Sequence, residues 1–280
     1  MTDTALSPIS NTDRDARRPD GHDWRTAGEA WGHAADDWAT LFEHYAAEAV
    51  AAIGHAVGAG HGSRVLDVAC GSGWAMRFLR GLGADVAGID AAARLLDVAS
   101  ERNPDSEIVH GSMFDLPWEA NTFDAVVSIN GIWGGGEDAL REAHRVLRPG
   151  GHIGMSFWGR GEPLDLRPFF LAVAGHLDRS HVEGMVSIND IATPGVAETM
   201  LAAAGFDVVD RDRRISMLEW PDDDVAWRAL RSVGPIVPAL RNSDAETVRH
   251  DALAAIAHCR TGRGTYRFEN VQDVVIARRP

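Results

Sequence analysis

One segment constrains the fold of this chain more than any other: residues 65–74, with the sequence VLDVACGSGW. Its apolar, β-branched first half predicts a buried strand of a parallel sheet. Gly71 and Gly73 then allow backbone angles and a close ligand approach that a Cβ atom would obstruct. The apolar residues that follow, through Leu79, predict a helix whose free N–H groups point toward the turn. This arrangement is typical of a site for a nucleotide-type cofactor.

Strands and helices alternate along the chain after this turn. Such alternation implies right-handed crossovers and a mostly parallel, doubly wound sheet. Two long strand candidates, 206–220 and 264–279, predict an antiparallel pair at the sheet edge. We therefore expect an α/β fold with a seven-stranded, mostly parallel sheet and an antiparallel edge strand. The other predicted strands are 64–69, 84–90, 107–110, 123–129 and 152–158, and the predicted helices between them are 73–81, 92–102 and 137–147.

The segment before the glycine turn predicts an N-terminal helical cap over residues 24–60. Aromatic residues recur every seven positions from Trp24, which predicts one amphipathic helix, or two helices that meet near Gly32. The acidic side chains, Glu43 and Glu48 among them, are expected on the opposite, solvated face. Four histidines spaced eleven apart are also expected there, and at ~16 Å spacing along a helix they cannot share a metal ion. These are His22, His33, His44 and His55.

The rest of the chain divides into a tail, a core and insertions. Residues 1–23 show no apolar periodicity, which predicts a disordered tail. We expect the core over residues 61–280. Substrate-lid insertions are expected at about 160–204 and 221–262, where the strand–helix alternation loosens.

Composition excludes several classes of function. The net charge of −14 argues against a nucleic-acid partner, because such binding relies on a basic surface. No stretch approaches the roughly 18 apolar residues of a membrane span, and no signal peptide is evident, so we expect a cytoplasmic protein without a membrane partner. The two cysteines, Cys70 and Cys259, lack metal-ligand spacing, and we expect no metal.

Asp67 narrows the type of cofactor, since it lies inside the strand, four residues before Gly71. A dinucleotide turn has a third glycine for close helix–strand packing, whereas this chain has Met76 at that position. A Walker-type phosphate loop ends in Gly-Lys-Ser or Gly-Lys-Thr, and no such ending follows. A carboxylate here repels pyrophosphate but suits the ammonium group of S-adenosylmethionine. The alternative, a buried aspartate that only holds the loop, stays open.

Residues farther along the chain have the spacing expected around the same ligand. Asp90 ends the second predicted strand, where a carboxylate can accept both hydroxyls of a ribose. The segment 111–117 offers apolar cover and polar edges for an adenine, although Met113 and Phe114 are equally typical of core residues. Asn130 ends the fourth predicted strand at the carboxyl edge, where open sheets bind ligands. The candidate cofactor residues are Asp67, Gly71, Gly73, Asp90, Ala91, Ser112, Met113, Phe114 and Asn130.

Four stretches, residues 65–73, 88–90, 111–117 and 145–151, together resemble the class I S-adenosylmethionine-dependent methyltransferases. More narrowly, they resemble the branch that contains ubiquinone and menaquinone biosynthesis enzymes and many natural-product methyltransferases. The resemblance covers residues 63–158 in order. It implies that Asp67 and the two glycines surround the methionine part of the cofactor, Asp90 the ribose, and residues 112–114 the adenine.

The chain departs from this branch at two places. The branch commonly has an acidic residue where this chain has Ser112, which weakens the contact with the adenine amino group. Many relatives also carry a histidine in the loop after the fourth strand, whereas residues 132–136 here read IWGGG. A family-type histidine role in that loop is therefore not expected.

The resemblance implies in-line transfer of a methyl group to O, N or C of an acceptor. Residues 130–133 read NGIW, not the Asn-Pro-Pro-Tyr of enzymes that methylate base amines and glutamine amides, nor a catalytic cysteine. No basic interfacial helix indicates a lipid substrate. A small organic molecule, as in secondary metabolism, remains. The alternative is a protein of this fold that keeps the cofactor without methyl transfer, such as a cyclase or a binding module. An NAD-dependent oxidoreductase is disfavoured by Met76 and Asp67.

Aromatic residues outside the alternating core are the candidates for the acceptor pocket, because such pockets are largely apolar and a sulfonium favours a nearby π-face. Trp31, Trp133 and Trp158 are the predicted substrate residues, with core packing as the alternative for each. His176 and His181 are the histidines to test as a general base, against the alternative of exposed surface residues. The acceptor and the oligomeric state are left open.

Overall fold

The structure is a computed structural model that describes residues 24–161 and 163–280. The predicted disordered tail, residues 1–23, lies outside the described residues. Within them, strands and helices alternate over residues 64–158, and the alternation loosens after residue 158, as the sequence predicts.

A single seven-stranded sheet forms the centre of the described chain, in the order β3-β2-β1-β4-β5-β7-β6. Strands β1 to β5 pair in parallel, while β7 runs antiparallel to both of its neighbours, β5 and β6. The predicted α/β fold is confirmed, including the antiparallel pair at the edge. The strands are β1 (Arg64–Val68), β2 (Asp85–Asp90), β3 (Ile108–His110), β4 (Phe123–Ile129), β5 (Leu147–Trp158), β6 (Asp207–Trp220) and β7 (Tyr266–Arg278).

The fifth strand begins earlier than the sequence predicts. Leu147 already pairs with Phe123, and the register then shifts so that His152 pairs with Ala125. The intervening residues include Gly150, whose φ of 83° lies in the left-handed region that glycine tolerates. The proline–glycine segment that ends the preceding helix therefore forms a bulged start of β5.

Helices cover both faces of the sheet. One face packs against α6 (Glu137–Val146) and α9 (Val196–Ala203), and the other against α3 (Ala47–Ala56) and α4 (Trp74–Gly81). Because α9 packs on α6, the last part of the predicted first insertion belongs to the sheet-covering layer. The helix α5 (Ala93–Arg102) flanks β2 and β3.

The N-terminal cap consists of several helical pieces. A bend after α1 (Trp24–Gly32) is followed by α2 (Ala35–Asp37), a π-helical turn at Trp38–Phe42 and a 3₁₀ turn at Glu43–Ala46, which leads into α3. A π-helical turn holds more residues than an α-helical turn, so the residues after it are rotated relative to the heptad pattern. As a result Glu43 is buried, and its predicted place on the solvated face is wrong.

Helices from both insertions pack with the cap as a second apolar layer, to which no described side chain of α8 (Arg179–Asn189) contributes. Cap residues Phe42 and Tyr45 share one buried cluster with side chains from both insertions, such as Phe169 and Leu230. The helices of the insertions, apart from α8 and α9, are α7 (Arg167–Ala174), α10 (Asp223–Arg231), α11 (Ile236–Asn242) and α12 (Ala245–Ala255). None of the helices in the described part of the chain is long and apolar enough to cross a membrane.

Candidate functional site

The glycine turn joins β1 to α4 through residues with left-handed backbone angles, and packing against α5 holds it in that conformation. Ala69, Gly71 and Gly73 all have positive φ values, of 62°, 55° and 71°. A Cβ atom on Gly73 would lie 2.5 Å from Asn103 Nδ2 and 3.0 Å from Ala99 Cβ, so glycine is required there for packing against α5. The turn is thereby fixed with its backbone N–H groups at the carboxyl edge of the sheet.

Asp67 is almost fully buried in β1, and neither of its carboxylate oxygens has a hydrogen-bond partner in the described chain. Burial, and secondarily the nearby carboxylate of Asp90, raises the pKa of Asp67 from 3.8 to about 8. A buried carboxylate without a partner is costly, and a cationic group would relieve that cost. The chemistry of the site therefore fits the ammonium group of an amino-acid-bearing cofactor.

Asp90 holds the turn in place from the end of β2. Its Oδ2 accepts a hydrogen bond from Gly71 N at 2.8 Å, and its Oδ1 accepts one from Ala92 N at 2.7 Å. Burial raises the pKa of Asp90, and these backbone hydrogen bonds oppose the rise. Each oxygen keeps a further lone pair that can accept from a ligand hydroxyl.

Ala91, the next residue, is covered by the cap. A Cβ atom on Gly28 of α1 would lie only 2.0 Å from the carbonyl oxygen of Ala91, so the helix touches this loop backbone to backbone. The same carbonyl oxygen lies 3.0 Å from Nε2 of His110, whose ring packs edge-on against Trp24. The first cap helix thus lies directly over the loop predicted to contact the ribose.

The loop predicted to cover the adenine is partly buried. Phe114 N donates to Ser112 Oγ at 3.2 Å, and the side chains of Met113 and Phe114 pack against the main core. The loop is tied to α6, where Glu142 accepts from Leu116 N at 2.8 Å. Packing against the core and lining a ligand site are both compatible with these partly exposed positions.

Asn130 lies directly after β4 with a φ of 52°, and it contacts a residue that the sequence analysis did not select. Its Nδ2 donates to the phenolic oxygen of Tyr45 at 2.6 Å, while its buried Oδ1 has no hydrogen-bond partner among the residues that the structure describes. The ring of Tyr45 stacks on Trp158 with centroids 4.7 Å apart. Burial raises the pKa of Tyr45 well above its usual value, so the phenol stays protonated. Its place in the heptad of cap aromatics was the only sequence signal.

The three tryptophans predicted for the acceptor pocket belong to one aromatic cluster. Trp31 stacks on Trp133 at 6.5 Å and meets Trp38 edge-on at 5.0 Å. Trp38 in turn contacts Tyr45 at 6.2 Å, and Tyr45 stacks on Trp158. All four tryptophans remain partly exposed. Trp38, which belongs to the same predicted aromatic face as Trp31, also lies near the glycine turn, because its Nε1 would lie 4.0 Å from a Cβ atom on Gly71.

A buried ion pair that no sequence pattern indicates connects the cap to the glycine turn. Glu43 accepts hydrogen bonds from Ser72 Oγ and from the Arg102 guanidinium. Arg102 also donates to Ser72 Oγ at 2.6 Å and to the Ala39 carbonyl at 2.8 Å. Burial raises the pKa of Glu43 despite these contacts. The partners lie far apart in sequence, and only the rotation after the π-helical turn brings Glu43 inward.

The two histidines proposed as bases have other partners. The ring nitrogens of His176 lie 2.9 Å from Ser243 Oγ and 3.1 Å from Asp251 Oδ2, between α7 and α12. His181 is exposed and lies 2.8 Å from Asp178 Oδ1. Neither has a described contact with a predicted site residue.

Comparisons with known proteins agree with this architecture. Residues 66–155 match the family described as "Methyltransferase domain". A demethylmenaquinone methyltransferase of Renibacterium salmoninarum is 40% identical over 100 residues, which is 35% of this chain and 42% of that protein. The chain thus matches less than half the length of such curated relatives.

Solved structures show the same fold. A Bacillus halodurans protein assigned as a methyltransferase superposes with a TM-score of 0.56 and 19% identity, over 82% of this chain and 98% of that one. The [4+2]-cyclase SpnF superposes with a TM-score of 0.55 and 19% identity, over 86% of this chain and 84% of its own. At 19% sequence identity, these superpositions show that the fold is shared and nothing more.

Proposed function

We propose that the chain transfers a methyl group from S-adenosylmethionine, because residues 66–155 match the family described as "Methyltransferase domain" and the similar curated proteins include demethylmenaquinone methyltransferases. The acceptor in this proposal is O, N or C of a small organic molecule, of the kind found in natural-product metabolism. Two of the solved structures with this fold are phosphoethanolamine N-methyltransferases of Haemonchus contortus, one with S-adenosylmethionine and one with S-adenosylhomocysteine.

The observation that carries the proposal is the pair of unpartnered carboxylate oxygens on Asp67. They lie in the strand that leads into the glycine turn, whose conformation Asp90 fixes by accepting from Gly71 N. In this assignment Asp67 and the glycine turn hold the methionine part, Asp90 and Ala91 the ribose, and residues 112–114 the adenine. Bound there, the cofactor supplies a sulfonium-activated methyl group.

The chain's own contribution is orientation and exclusion of water rather than proton abstraction. The described side-chain contacts of Asn130, Trp31 and Trp133 are aromatic rings and a phenol, with no histidine or free carboxylate among them. Holding two reactants in line can contribute roughly 7–11 kcal/mol to lowering a barrier. We infer an acceptor that is already nucleophilic when it binds, such as an amine, a phenolate or an enolate.

Tyr45 and Asn130 have complementary roles in this proposal. Because Asn130 Nδ2 donates to the phenolic oxygen, the phenol hydrogen of Tyr45 is free to donate to a bound molecule. The unpartnered Oδ1 of Asn130 can accept from one. The aromatic cluster of Trp31, Trp38, Trp133 and Trp158 would provide the apolar walls.

The test is incubation of the full chain with methyl-labelled S-adenosylmethionine and a panel of amines, phenols and enolisable ketones. The proposal expects labelled product from wild type and from Asp97→Asn, an exposed control on α5. Asp67→Ala should lose both cofactor binding and product. Cofactor binding by Asp67→Ala that equals wild type would contradict the assignment of Asp67.

The same assay tests the alternative of a cofactor-retaining protein that does not transfer methyl. A panel compound converted without gain of label would favour a cyclase-type activity over the proposed transfer. Binding of the cofactor with no conversion of any panel compound would favour a binding module. Saturable label transfer excludes both.

A further inference from the structure

Three side chains of metal-ligand type lie together outside the proposed methyl-transfer site. A carboxylate oxygen of Asp165, a ring nitrogen of His258 and the sulfur of Cys259 all lie within 4.8 Å of one another. Asp165 begins the approach to α7 in the first insertion, and the other two lie on a 3₁₀ turn at Ala257–Cys259 after α12. The cluster therefore joins the beginning of one insertion to the end of the other.

The imidazole of His258 is held in an orientation suited to coordination. Its Nδ1 lies 3.1 Å from the carbonyl oxygen of Ala255, which can only accept, so Nδ1 carries the hydrogen. In the neutral ring the lone pair is then on Nε2, which lies 3.2 Å from Cys259 Sγ. Metal-binding histidines commonly donate their second ring N–H to a backbone carbonyl in this way.

The spacing of the ligand atoms is close to that of a tetrahedral site. Typical Zn–S and Zn–N bonds at a tetrahedral angle place sulfur and nitrogen roughly 3.5 Å apart, near the observed 3.2 Å. Asp165 is oriented by Glu269 N, which donates to its Oδ2 at 2.7 Å, and its Oδ1 keeps its lone pairs. A shift of about 1 Å by this carboxylate would complete three protein ligands.

We propose that Asp165, His258 and Cys259 bind a zinc ion that ties the two insertions together where they meet the sheet. Sulfur, imidazole nitrogen and carboxylate oxygen are the three donor types that zinc accepts, and water would take the fourth position. On binding, the Cys259 thiol loses its proton to solvent and binds as the thiolate. The spacing of the two cysteines gave no hint of this site, because its ligands come from segments that only the fold brings together.

The site explains a combination that is otherwise unusual. Cys259 is buried, and its sulfur lies close to the carboxylate of Asp165. A divalent cation between them would stabilise both the thiolate and the carboxylate. The exposed His258 gives the ion a route from solvent.

The test is titration of the tag-free full chain with Co²⁺ after treatment with a chelator, followed by displacement with Zn²⁺. Wild type should bind one cobalt ion per chain with a thiolate-to-cobalt absorption band. Cys259→Ser should lose that band, and His258→Ala should bind at least about tenfold more weakly. His250→Ala, an exposed histidine on α12, is the matched control and should behave as wild type.

The exposed position of His258 makes its variant the decisive one, because its loss should not prevent folding. Binding by His258→Ala and Cys259→Ser that equals wild type would overturn the proposal, as would no stoichiometric binding by wild type. Zinc should also raise the melting temperature of wild type and not of Cys259→Ser. None of these readouts depends on methyl transfer.

Discussion

The side-chain amide of Asn130 donates to the phenolic oxygen of Tyr45, with 2.6 Å between Nδ2 and the oxygen. This hydrogen bond joins the end of β4 to the 3₁₀ turn that precedes α3, and so connects the central sheet to the N-terminal cap. Tyr45 is stacked on Trp158 at the end of β5, which fixes the ring independently of the hydroxyl. A substitution that removes only the hydroxyl group therefore tests the hydrogen bond without removing the stacked ring.

We expect Tyr45→Phe to keep the stacked ring and to lose the hydrogen bond with Asn130. A buried donor left unpaired costs about 1–3 kcal/mol, so urea unfolding should show a loss of stability in that range. If the phenol orients the acceptor as proposed, kcat should fall roughly 10–100-fold, since 1.4 kcal/mol corresponds to a factor of ten. Calorimetry should find the affinity for S-adenosylmethionine within about twofold of wild type. A twofold change corresponds to about 0.4 kcal/mol, which is the size of effect expected from a substitution that does not contact the cofactor.

The control for this variant is Phe170→Leu, a partly exposed ring on α7. It should leave kcat unchanged. A Tyr45→Phe enzyme with wild-type kcat and reduced stability would assign Tyr45 to structure alone.

The part of the fold that depends on local pattern could be predicted from the sequence. The strand 123–129 and the glycine turn follow from apolar runs and turn residues, and the structure has β4 at Phe123–Ile129. The prediction of which side chains are buried failed where one irregular turn rotates the residues that follow it. The π-helical turn at Trp38–Phe42 is such a case, because no residue pattern announces it and it moves Glu43 from solvent to the interior.

The candidate site was predictable only along single segments. Asp67, Asp90 and Asn130 each lie within one residue of the carboxyl end of a parallel strand, so their presence at one sheet edge follows from the parallel topology. The contacts between segments did not follow. Glu43 with Arg102, and Tyr45 with Asn130, pair across long sequence separations that no periodicity encodes.

The raised pKa of Asp67 makes stability depend on pH in the ligand-free protein. Between about pH 4 and pH 8 the folded state keeps a proton on Asp67 that the unfolded chain has lost. The free energy of unfolding should therefore fall as pH rises through this window, and level off above it. Asp67→Asn should flatten that decline in urea unfolding measured at several pH values, whereas Asp97→Asn should follow wild type.

The same group should couple cofactor binding to a proton. An ammonium group beside Asp67 favours the carboxylate and lowers its pKa, so binding at pH 7 should release up to about one proton. Calorimetry with S-adenosylhomocysteine in two buffers of different ionisation enthalpy measures that release. Proton release by Asp67→Asn equal to that of wild type would show that another group is responsible.

The ion pair between Glu43 and Arg102 should support both the cap and the glycine turn. Glu43→Gln keeps the side-chain shape but leaves the guanidinium, which is 20% exposed, without its countercharge. We expect about 1–3 kcal/mol less stability and weaker S-adenosylmethionine binding, because glutamine has one acceptor oxygen for the two donors, Ser72 Oγ and the guanidinium, that Glu43 accepts from. Denaturant unfolding and calorimetry provide the two measurements.

Glu48→Gln is the matched control, an exposed glutamate five residues along the same cap. Its effect on stability should stay within about 0.5 kcal/mol, as for most surface substitutions. Equal effects of the two variants would mean that net charge, and not the buried pair, determines the change.

Gly28→Ala should test whether the cap helix α1 must lie against the loop at Ala91 for the cofactor to bind. In an isolated helix alanine is favoured over glycine by about 1 kcal/mol, so any loss must come from the contact. The new Cβ atom would lie 2.0 Å from the Ala91 carbonyl oxygen, a backbone atom that cannot rotate away. Overpacking of this kind costs roughly 1–3 kcal/mol, and S-adenosylmethionine affinity should fall about tenfold or more.

Gly81→Ala, on α4, has nothing within 4 Å of its Cβ position and should bind as wild type. Equal affinities of the two variants would show that α1 is free to separate from the loop without affecting the cofactor site.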